Sequence, residues 1–481
     1  MGADARPGRA APPRVAVVGG GLAGMAAACD LADAGYAVTL VERRPYLGGR
    51  TFSFVDQETG CEVDNGQHVF MKCCTAYIAF LKKLGVLSKA SLQERLRVPV
   101  VDRRGRRAAI YSAPLPPPFH LLPSFLAYRH LSWRDKALAA YALLRIYLTD
   151  EEDWRREDGR SFLDWLRAHG QSAAAIARLW DLVIVATCNN DVSRVSAGQA
   201  LMVIKAGFLQ DPHGADIGLA RVGLSSLLVQ EVAAYLEARG AVLQLGRSVQ
   251  ALECEGGRMV ALRLGDGSRL EAAAFVSALP FHQLLPLLPR ELREGPFFAR
   301  AATLETAPIV NVNLWYDRPV MEDELLATLD SPVQWVFNKG LLHGSGAGAY
   351  LDVSISGAQR YFAMDKGELE GLVVRELAVL LPPTAQARLT RCLVVKERDA
   401  TFAPTPGSWG RRLPPVTPVS SLFLAGEWTH AGPGAPWPST MEAAVRSGIA
   451  AARAVQQALP LAASGAPLST DATAESVLVQ G

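Results

Sequence analysis

The stretch from Arg14 to Arg50 decides the fold and reads RVAVVGGGLAGMAAACDLADAGYAVTLVERRPYLGGR. Its apolar residues at positions 15–18 are typical of a strand buried on both faces of a parallel sheet. Glycines then match G-x-G-x-x-G, and a predicted helix starts inside that turn. Because a helix N-terminus offers unpaired N–H groups and the positive end of a dipole, the turn is predicted to bind phosphate. The residues assigned to it are Gly19, Gly21, Leu22, Ala23 and Gly24.

A second strand and an acidic residue complete the motif. Residues 37–41 form the predicted strand, and Glu42 lies at its end. A carboxylate about 20 residues after the glycines accepts a hydrogen bond from a ribose hydroxyl. The order strand, turn, helix, strand and acid therefore predicts a dinucleotide site. An acid at this position favours FAD or NAD over NADP.

A second glycine run decides between FAD and NAD. The run RRPYLGGR follows Glu42 directly and contains Arg43, Gly48, Gly49 and Arg50. It resembles the second glycine motif of flavoproteins in the glutathione-reductase-like, amine oxidase and carotenoid desaturase superfamily. That resemblance implies contacts between this loop and FAD. It also implies an α/β fold in which a glutathione-reductase-type, Rossmann-like FAD domain is interleaved with an α+β substrate domain.

Three later segments also resemble flavin-binding motifs of this superfamily. The resemblance implies that a G-x-H-x-F stretch lines the flavin, and that a valine backbone holds the adenine. It further implies that a glutamate near the C-terminus accepts from ribityl hydroxyls. The helix after that glutamate is expected to direct its N-terminus at the N1/C2=O edge of the flavin. The residues assigned in this way are Gly66, Gln67, Val249, Gly426, Glu427, Thr440 and Met441.

Length and composition indicate two interleaved globular domains. The chain has 481 residues, of which 49% are hydrophobic and 20% charged, and its formal net charge is only +2. So small a charge gives no electrostatic case for nucleic-acid binding. We assign segments 14–95, 221–285 and 415–460 to the FAD domain and 96–220 and 286–414 to the substrate domain. The tails, 1–13 and 461–481, are predicted to be disordered.

The cysteines and the N-terminus favour a cytoplasmic protein. Seven cysteines occur without C-x-x-C spacing, which predicts free thiols and no metal site. The first residues lack the apolar core of a signal peptide, and no uncharged apolar stretch is long enough to span a bilayer. Contact with the inner face of the cell membrane would therefore be peripheral.

The region 115–148 is where such contact is expected. A helix is predicted to begin after Ser132, with Asp135 completing the N-terminal cap. Its apolar residues cover nearly the whole circumference. A helix of this kind is usually buried in a core, and that is our first interpretation. The second is an entrance for a lipid substrate at the bilayer interface.

Four runs of residues suggest a narrower family. They are GQHVFMKCCTAYIAFLKKLGV from Gly66, ATC from Ala186, RVGLSSLL from Arg221 and WPSTMEAAVRSG from Trp437. Together they resemble the squalene-associated FAD proteins of bacterial hopanoid biosynthesis, the hydroxysqualene dehydroxylases. The resemblance implies that hydroxysqualene loses its allylic hydroxyl and gains hydride from reduced FAD, giving squalene. It also implies enzymes that form hydroxysqualene as partners.

Such a reaction needs an acid for the departing hydroxyl. His68 is the first candidate and Asp64 the second. His68 has an equally simple interpretation as a structural histidine at a turn.

Two other functions stay open at this stage. One is a carotenoid desaturase of the phytoene type, which shares the fold and an apolar tunnel. The other is a prenyl-lipid carrier that has this fold without flavin chemistry. The intact motif at Gly426 and Met441 argues against the carrier.

Overall fold

The computed structural model describes residues 11–344, 349–432 and 436–461. Of the tails predicted to be disordered, residues 1–10 and 462–481 lie outside the described residues. Part of the loop before the last helix, residues 433–435, also lies outside them.

The strands are as follows. They are β1 (Arg14–Val18), β2 (Ala37–Glu42), β3 (Ser53–Val55), β4 (Glu62–Asp64), β5 (Val69–Met71), β6 (Ala90–Leu92), β7 (Arg97–Asp102), β8 (Arg107–Tyr111), β9 (Ile217–Ala220), β10 (Val242–Leu245), β11 (Val249–Glu255), β12 (Arg258–Leu264), β13 (Arg269–Glu271), β14 (Ala274–Ser277), β15 (Glu305–Tyr316), β16 (Leu325–Leu329), β17 (Trp335–Asn338), β18 (Tyr350–Ile355), β19 (Leu389–Ala403) and β20 (Leu422–Leu424).

The α-helices range from single turns to five turns. They are α1 (Leu22–Asp33), α2 (Thr75–Lys83), α3 (Leu122–Ala127), α4 (Trp133–Leu148), α5 (Glu151–Glu157), α6 (Phe162–Ala168), α7 (Ala173–Ala175), α8 (Asp181–Cys188), α9 (Ala197–Ile204), α10 (Gln230–Glu237), α11 (Phe281–Leu284), α12 (Arg290–Glu294), α13 (Lys339–Leu342), α14 (Gln359–Phe362), α15 (Lys366–Leu380), α16 (Pro383–Gln386) and α17 (Met441–Ala458).

A five-stranded parallel sheet carries the predicted FAD motifs. Its order is β10-β2-β1-β14-β20, so β1 is central and leads into α1 at the carboxyl edge. The small side chains at 26–28 are buried, which lets α1 lie close to the sheet. Helix α17 packs closely on α1 as well, since a Cβ added to Gly448 would lie 2.2 Å from the carbonyl oxygen of Ala23. The predicted βαβ unit is confirmed.

A seven-stranded mixed sheet forms the second body, in the order β19-β15-β18-β17-β16-β7-β8. One face of β15 presents Val310, Val312 and Leu314 to the amphipathic helix α15, in one apolar cluster. The alternate residues Asn311 and Asn313 point to the other face, as strand periodicity requires. That face is turned toward the segment that follows β4, because Asn311 contacts Gln67 there.

Some sequence predictions for this sheet need correction. The sequence predicts a hairpin of strands over 96–101 and 108–112, because a glycine lies in the basic turn between them, and β7 and β8 confirm it. Residues 51–58 are also predicted to form a strand, but only the three residues of β3 pair with β4, in a separate two-stranded sheet. Strands β16 and β19 were not predicted. In β19 polar and apolar residues do not alternate regularly, so its sequence gives no period-2 signal.

Helix α4 has the predicted cap but not the predicted burial. The Ser132 hydroxyl accepts a hydrogen bond from the N–H of Asp135, which confirms the N-terminus. The core interpretation is wrong, because only Lys136, Ala139, Ala142 and Ile146 are buried. Leu138 and Leu143 are half-buried, and the other large apolar residues of the helix are exposed, with Trp133 72% accessible. Within residues 11–344, 349–432 and 436–461, no helix combines the length and the apolar character needed to cross a bilayer.

Candidate functional site

The turn between β1 and α1 presents backbone N–H groups toward open space. Gly19 has φ of 102°, a conformation that only glycine adopts readily. Gly21 is the N-cap of α1 and supplies no side-chain acceptor, so the first N–H groups of the helix are left for an external group. A Cβ added to Gly21 would meet no atom nearer than the Cα of Gly49, at 3.9 Å. A diphosphate can therefore approach the backbone here.

Glu42 lies at the end of β2 and is fixed by two backbone donors. Its Oε2 accepts from the N–H of Gly20 at 2.7 Å, and its Oε1 accepts from the N–H of Arg44 at 2.9 Å. Each carboxylate oxygen keeps a second lone pair for a ribose hydroxyl. Gly20 occupies a variable position of the G-x-G-x-x-G pattern, and sequence analysis missed this bond.

The second glycine loop folds back on the first. The N–H of Gly48 donates to the carbonyl of Gly20 at 2.8 Å, and the Arg44 guanidinium donates to the carbonyl of Gly49 at 3.0 Å. Arg43 is exposed and forms no hydrogen bond within the described residues, and its contact with the cofactor stays a prediction. Arg44, not Arg43, holds the loop.

The predicted adenine-binding segment lies beside Glu42. The N–H groups of Gly246 and Arg247 donate to the carbonyls of Arg44 and Glu42, both at 2.9 Å. These bonds bring the start of β11, where Val249 stands, to the end of β2. The contact between Val249 and adenine stays a prediction.

The C-terminal motif joins the same cleft through an ion pair. Arg50 lies 2.7 Å from Oε1 of Glu427 and also donates to the carbonyl of Ala400 in β19, at 2.9 Å. Thr440 caps α17 by accepting from the N–H of Ala443, so the helix begins at Met441 as predicted. Along the chain, the amino end of α17 follows Gly426 and Glu427. The N–H of Gly426 donates to the Ser447 hydroxyl at 2.8 Å and ties the two together.

Arg412 supports this motif, and sequence analysis missed it. Its guanidinium is buried and donates to the carbonyls of Glu427, Thr429 and Trp437, each at 2.8 Å. Burial lowers the pKa of Arg412 to about 9, although Glu427 and Asp158 oppose the change. No local sequence pattern marks a residue that acts through three distant carbonyls.

The segment Gly66–His68 runs across the polar face of the seven-stranded sheet. The N–H of Gln67 faces Oδ1 of Asn311 at 3.4 Å, and a Cβ on Gly66 would lie 2.8 Å from Nδ2 of the same asparagine. The Nδ1 of His68 lies 2.7 Å from the carbonyl of Gly66. Because a carbonyl only accepts, Nδ1 carries the proton and Nε2 is the free acceptor nitrogen in the neutral ring.

His68 is better suited to accept a proton than to donate one. Burial lowers the pKa of His68, and the positive charges of Arg50 and Lys339 act in the same direction, while Gly66 and Asp64 oppose them. No described residue forms a hydrogen bond with Nε2. The ring is therefore neutral at pH 7, with an available acceptor. An acid role would need the protonated ring, which the lowered pKa disfavours, and that role stays a prediction.

Asp64 is not a proton donor. Its carboxylate lies 2.7 Å from the Nζ of Lys339, and the two side chains are only 3% and 1% exposed. The other carboxylate oxygen accepts from the Ser53 hydroxyl at 2.8 Å and from the N–H of Leu224 at 2.9 Å. Burial alone would raise the pKa of Asp64, but Lys339 and these donors lower it. We correct the assignment: Asp64 is one half of a buried ion pair.

The residues present fit FAD. An open helix N-terminus faces the place of a diphosphate, a fixed carboxylate faces that of a ribose, and a second helix N-terminus lies beside Glu427. These groups lie at the carboxyl edge of one parallel sheet, where α/β folds bind dinucleotides.

Comparison with known proteins agrees with this geometry. A family model described as flavin containing amine oxidoreductase matches residues 22–456. A probable zeta-carotene desaturase from Synechococcus elongatus is 29% identical, over 94% of this chain and 100% of its own length. A 15-cis-phytoene desaturase from Capsicum annuum is 26% identical, over 93% of this chain and 78% of its own. A putrescine oxidase of known structure superposes with a TM-score of 0.70 at 18% identity, covering 93% of this chain and 99% of its own.

Proposed function

The chain belongs to the flavin containing amine oxidoreductase family and binds FAD, and from that premise we propose that it desaturates a long isoprenoid polyene. The relatives that span nearly the whole chain are named zeta-carotene and phytoene desaturases. The observation that carries the direction of the reaction is the state of His68. A neutral imidazole with a free Nε2 is suited to take a proton from a C–H bond.

The groups around the cleft have different roles. The amino end of α1 holds the diphosphate, Glu42 holds a ribose, and the amino end of α17 favours the negative charge of a reduced flavin. When bound, FAD supplies the hydride acceptor. His68 accepts the proton through Nε2, while its Nδ1–H stays on the carbonyl of Gly66 and fixes the ring.

A second candidate is the reductive dehydroxylation of hydroxysqualene. The four runs of residues that resemble hydroxysqualene dehydroxylases favour it, and they include the segment from Gly66. In this reaction the substrate loses water and gains hydride from reduced FAD, so an acid is required. Enzymes that form hydroxysqualene would then be partners.

A flavin-free lipid carrier is set aside, because the family and the residues of the cleft both indicate FAD binding.

One anaerobic experiment separates these two functions. The holoprotein is mixed with phytoene or zeta-carotene while the flavin is oxidised, and with hydroxysqualene after the flavin has been reduced. Desaturation predicts loss of the visible absorbance of oxidised flavin, together with about one new double bond per flavin. Formation of squalene with flavin reoxidation would instead establish the dehydroxylase. If none of these three lipids changes the flavin spectrum, the isoprenoid proposal is wrong.

We also propose that the substrate comes from a lipid bilayer, at an apolar surface formed by α3 and α4. Nine exposed large apolar residues lie within residues 115–148. Three exposed arginines flank them, which suits an anionic lipid surface. The apolar residues are Leu115, Phe119, Leu122, Leu126, Trp133, Tyr141, Leu144, Tyr147 and Leu148, and the arginines are Arg129, Arg134 and Arg145. The protein would then be peripheral on the inner face of the cell membrane.

A further inference from the structure

Lys339 joins the two bodies of the protein at their buried boundary. It is the first residue of α13, directly after β17 of the seven-stranded sheet. Its Nζ donates to Asp64 at 2.7 Å and to Oε1 of Gln67 at 3.1 Å. Both acceptors belong to the part of the chain that leads from β4 into the Gly66–His68 segment. A lysine that is 1% exposed is found in this state only when it is paired.

The same segment is held from a second point of the sheet. Oδ1 of Asn311 on β15 faces the N–H of Gln67, and Nζ of Lys339 donates a hydrogen bond to the side chain of Gln67. Residues on both sides of Gly66 are therefore fixed to the substrate-domain sheet. His68 follows directly, and its ring is oriented by the carbonyl of Gly66.

We propose that Lys339 is a positioning residue: with Asp64 it clamps the Gly66–His68 segment and sets the charge environment in which His68 accepts the substrate proton. This inference rests on the proposed function only for the identity of the proton. In the step itself, a C–H bond would give its proton to Nε2 of His68 and its two electrons would form the new double bond, while bound FAD would supply the acceptor for the hydride that leaves the adjacent carbon. Atoms and charge balance, because the products are the alkene, imidazolium and reduced flavin.

The charges that act on His68 come from three places. Asp64 lies on its own segment, Arg50 on the second glycine loop and Lys339 on α13. Glu397 on β19 reaches the segment through Asn65, at 3.3 Å. Behind Lys339, Asp352 and His343 are buried as well. Lys339 opposes protonation of His68, and Asp64 favours it.

Lys339 and Asp64 carry opposite charges. Removing one or the other should therefore shift the pH profile in opposite directions. The test measures the acidic limb of the kcat/KM profile with the polyene substrate. Lys339→Met should move that limb to higher pH by about half a unit or more, since a positive charge is lost. Asp64→Asn should move it to lower pH by a similar amount. The double variant should return near the wild-type position and leaves no unpaired buried charge.

A matched control uses another ion pair on the same hairpin. Arg391 on β19 pairs with Asp56, just after β3, at 2.6 Å, and does not touch the Gly66–His68 segment. Arg391→Met should leave the acidic limb where it is. If Lys339→Met does not fold, two variants still test the proposal. Asp64→Asn should move the acidic limb to lower pH, and the double variant should bring it back near the wild-type position.

A second readout does not depend on the substrate. The titration of His68 is followed by NMR in holoprotein with labelled histidine, and His68→Gln assigns the signal. Shifts of the His68 titration in the two predicted directions support the clamp even if no polyene is turned over, in which case the proposed function alone has failed. Unchanged titration in both single variants, or shifts of the same sign, would overturn the inference and leave Lys339 with a purely structural role.

Discussion

Gly21 is the residue at which FAD binding can be tested without disturbing the fold. Its φ of −77° is allowed for any residue, and no protein atom lies near the place of its Cβ. We expect Gly21→Val to fold with an unchanged melting temperature but to bind FAD at least about tenfold more weakly, since the side chain occupies the place of the diphosphate. Flavin absorbance per protein after reconstitution measures this.

Gly24→Ala gives the contrasting result at the neighbouring glycine. Its Cβ would lie 1.8 Å from the carbonyl oxygen of Gly19, so this variant should lose stability as well as FAD. If Gly21→Val retains a full complement of flavin, our assignment of this turn is wrong.

Arg412 is expected to stabilise the C-terminal loop. Arg412→Met removes the donor for three carbonyls, two of them in buried hydrogen bonds, so the free energy of unfolding should fall by about 3 kcal/mol or more. Urea titration of the variant and the wild type measures the difference. A loss below 1 kcal/mol, on the same order as a surface substitution, would show that water replaces the guanidinium.

At the scale of elements, α4 is the helix whose exposed face tests contact with lipid. Leu144 and Leu148 are 54% and 67% exposed, so their replacement by glutamate leaves the core intact. We expect Leu144→Glu/Leu148→Glu to lose most of its flotation with vesicles that contain anionic lipid, because two charges enter the apolar interface. Val416→Glu is the control, at a position equally exposed but far along the chain. Equal flotation of the three proteins would contradict the lipid contact.

The amino end of α2 depends on another helix. Glu442, in the first turn of α17, is buried and accepts from the N–H groups of Ala76 and Tyr77, at 3.1 and 2.7 Å. Glu442→Ala leaves both donors unpaired and should cost about 2–4 kcal/mol of stability in urea, whereas Glu442→Gln should cost less. If both substitutions cost the same, the carboxylate charge and not the hydrogen bonds is what matters.

At the scale of the whole molecule, two buried groups have opposing effects on stability at acid pH. Burial raises the pKa of Asp352 to about 7, so the folded protein holds a proton that the unfolded chain has released. Its stabilising effect is full at low pH and is lost as pH rises toward 7. Burial and then Lys339 lower the pKa of His343 to about 4, so its effect is full above pH 6.5 and is lost as pH falls toward 4.

If either side chain is replaced, the pH dependence of stability caused by the other should become visible. Between pH 6.5 and 4, Asp352→Asn should lose stability relative to the wild type on acidification, and His343→Gln should gain it, each on the order of 2 kcal/mol. Urea unfolding at several pH values measures both slopes. Two variants with the wild-type slope would show that neither side chain changes its protonation on folding.

The parts of the fold that sequence reasoning could predict are those specified by neighbours in the chain. The βαβ unit and the caps at Ser132 and Thr440 all follow from patterns within a few residues. The pair between Asp64 and Lys339 could not be predicted, because its partners are distant in sequence and neither has a local signature. The exposure of α4 was misjudged for a related reason: an apolar circumference is equally compatible with a core and with lipid.

The parallel pairing of β7 with β16 has a consequence for synthesis on the ribosome. Val101 pairs with Thr328, so the first strand leaves the exit tunnel long before its partner. At roughly 5–20 residues per second, the nascent β7–β8 hairpin waits on the order of 10 to 40 s with an open edge. During that time any extended segment can add to it. Chaperone binding to the growing chain is therefore expected to matter most while residues 112–325 are being translated.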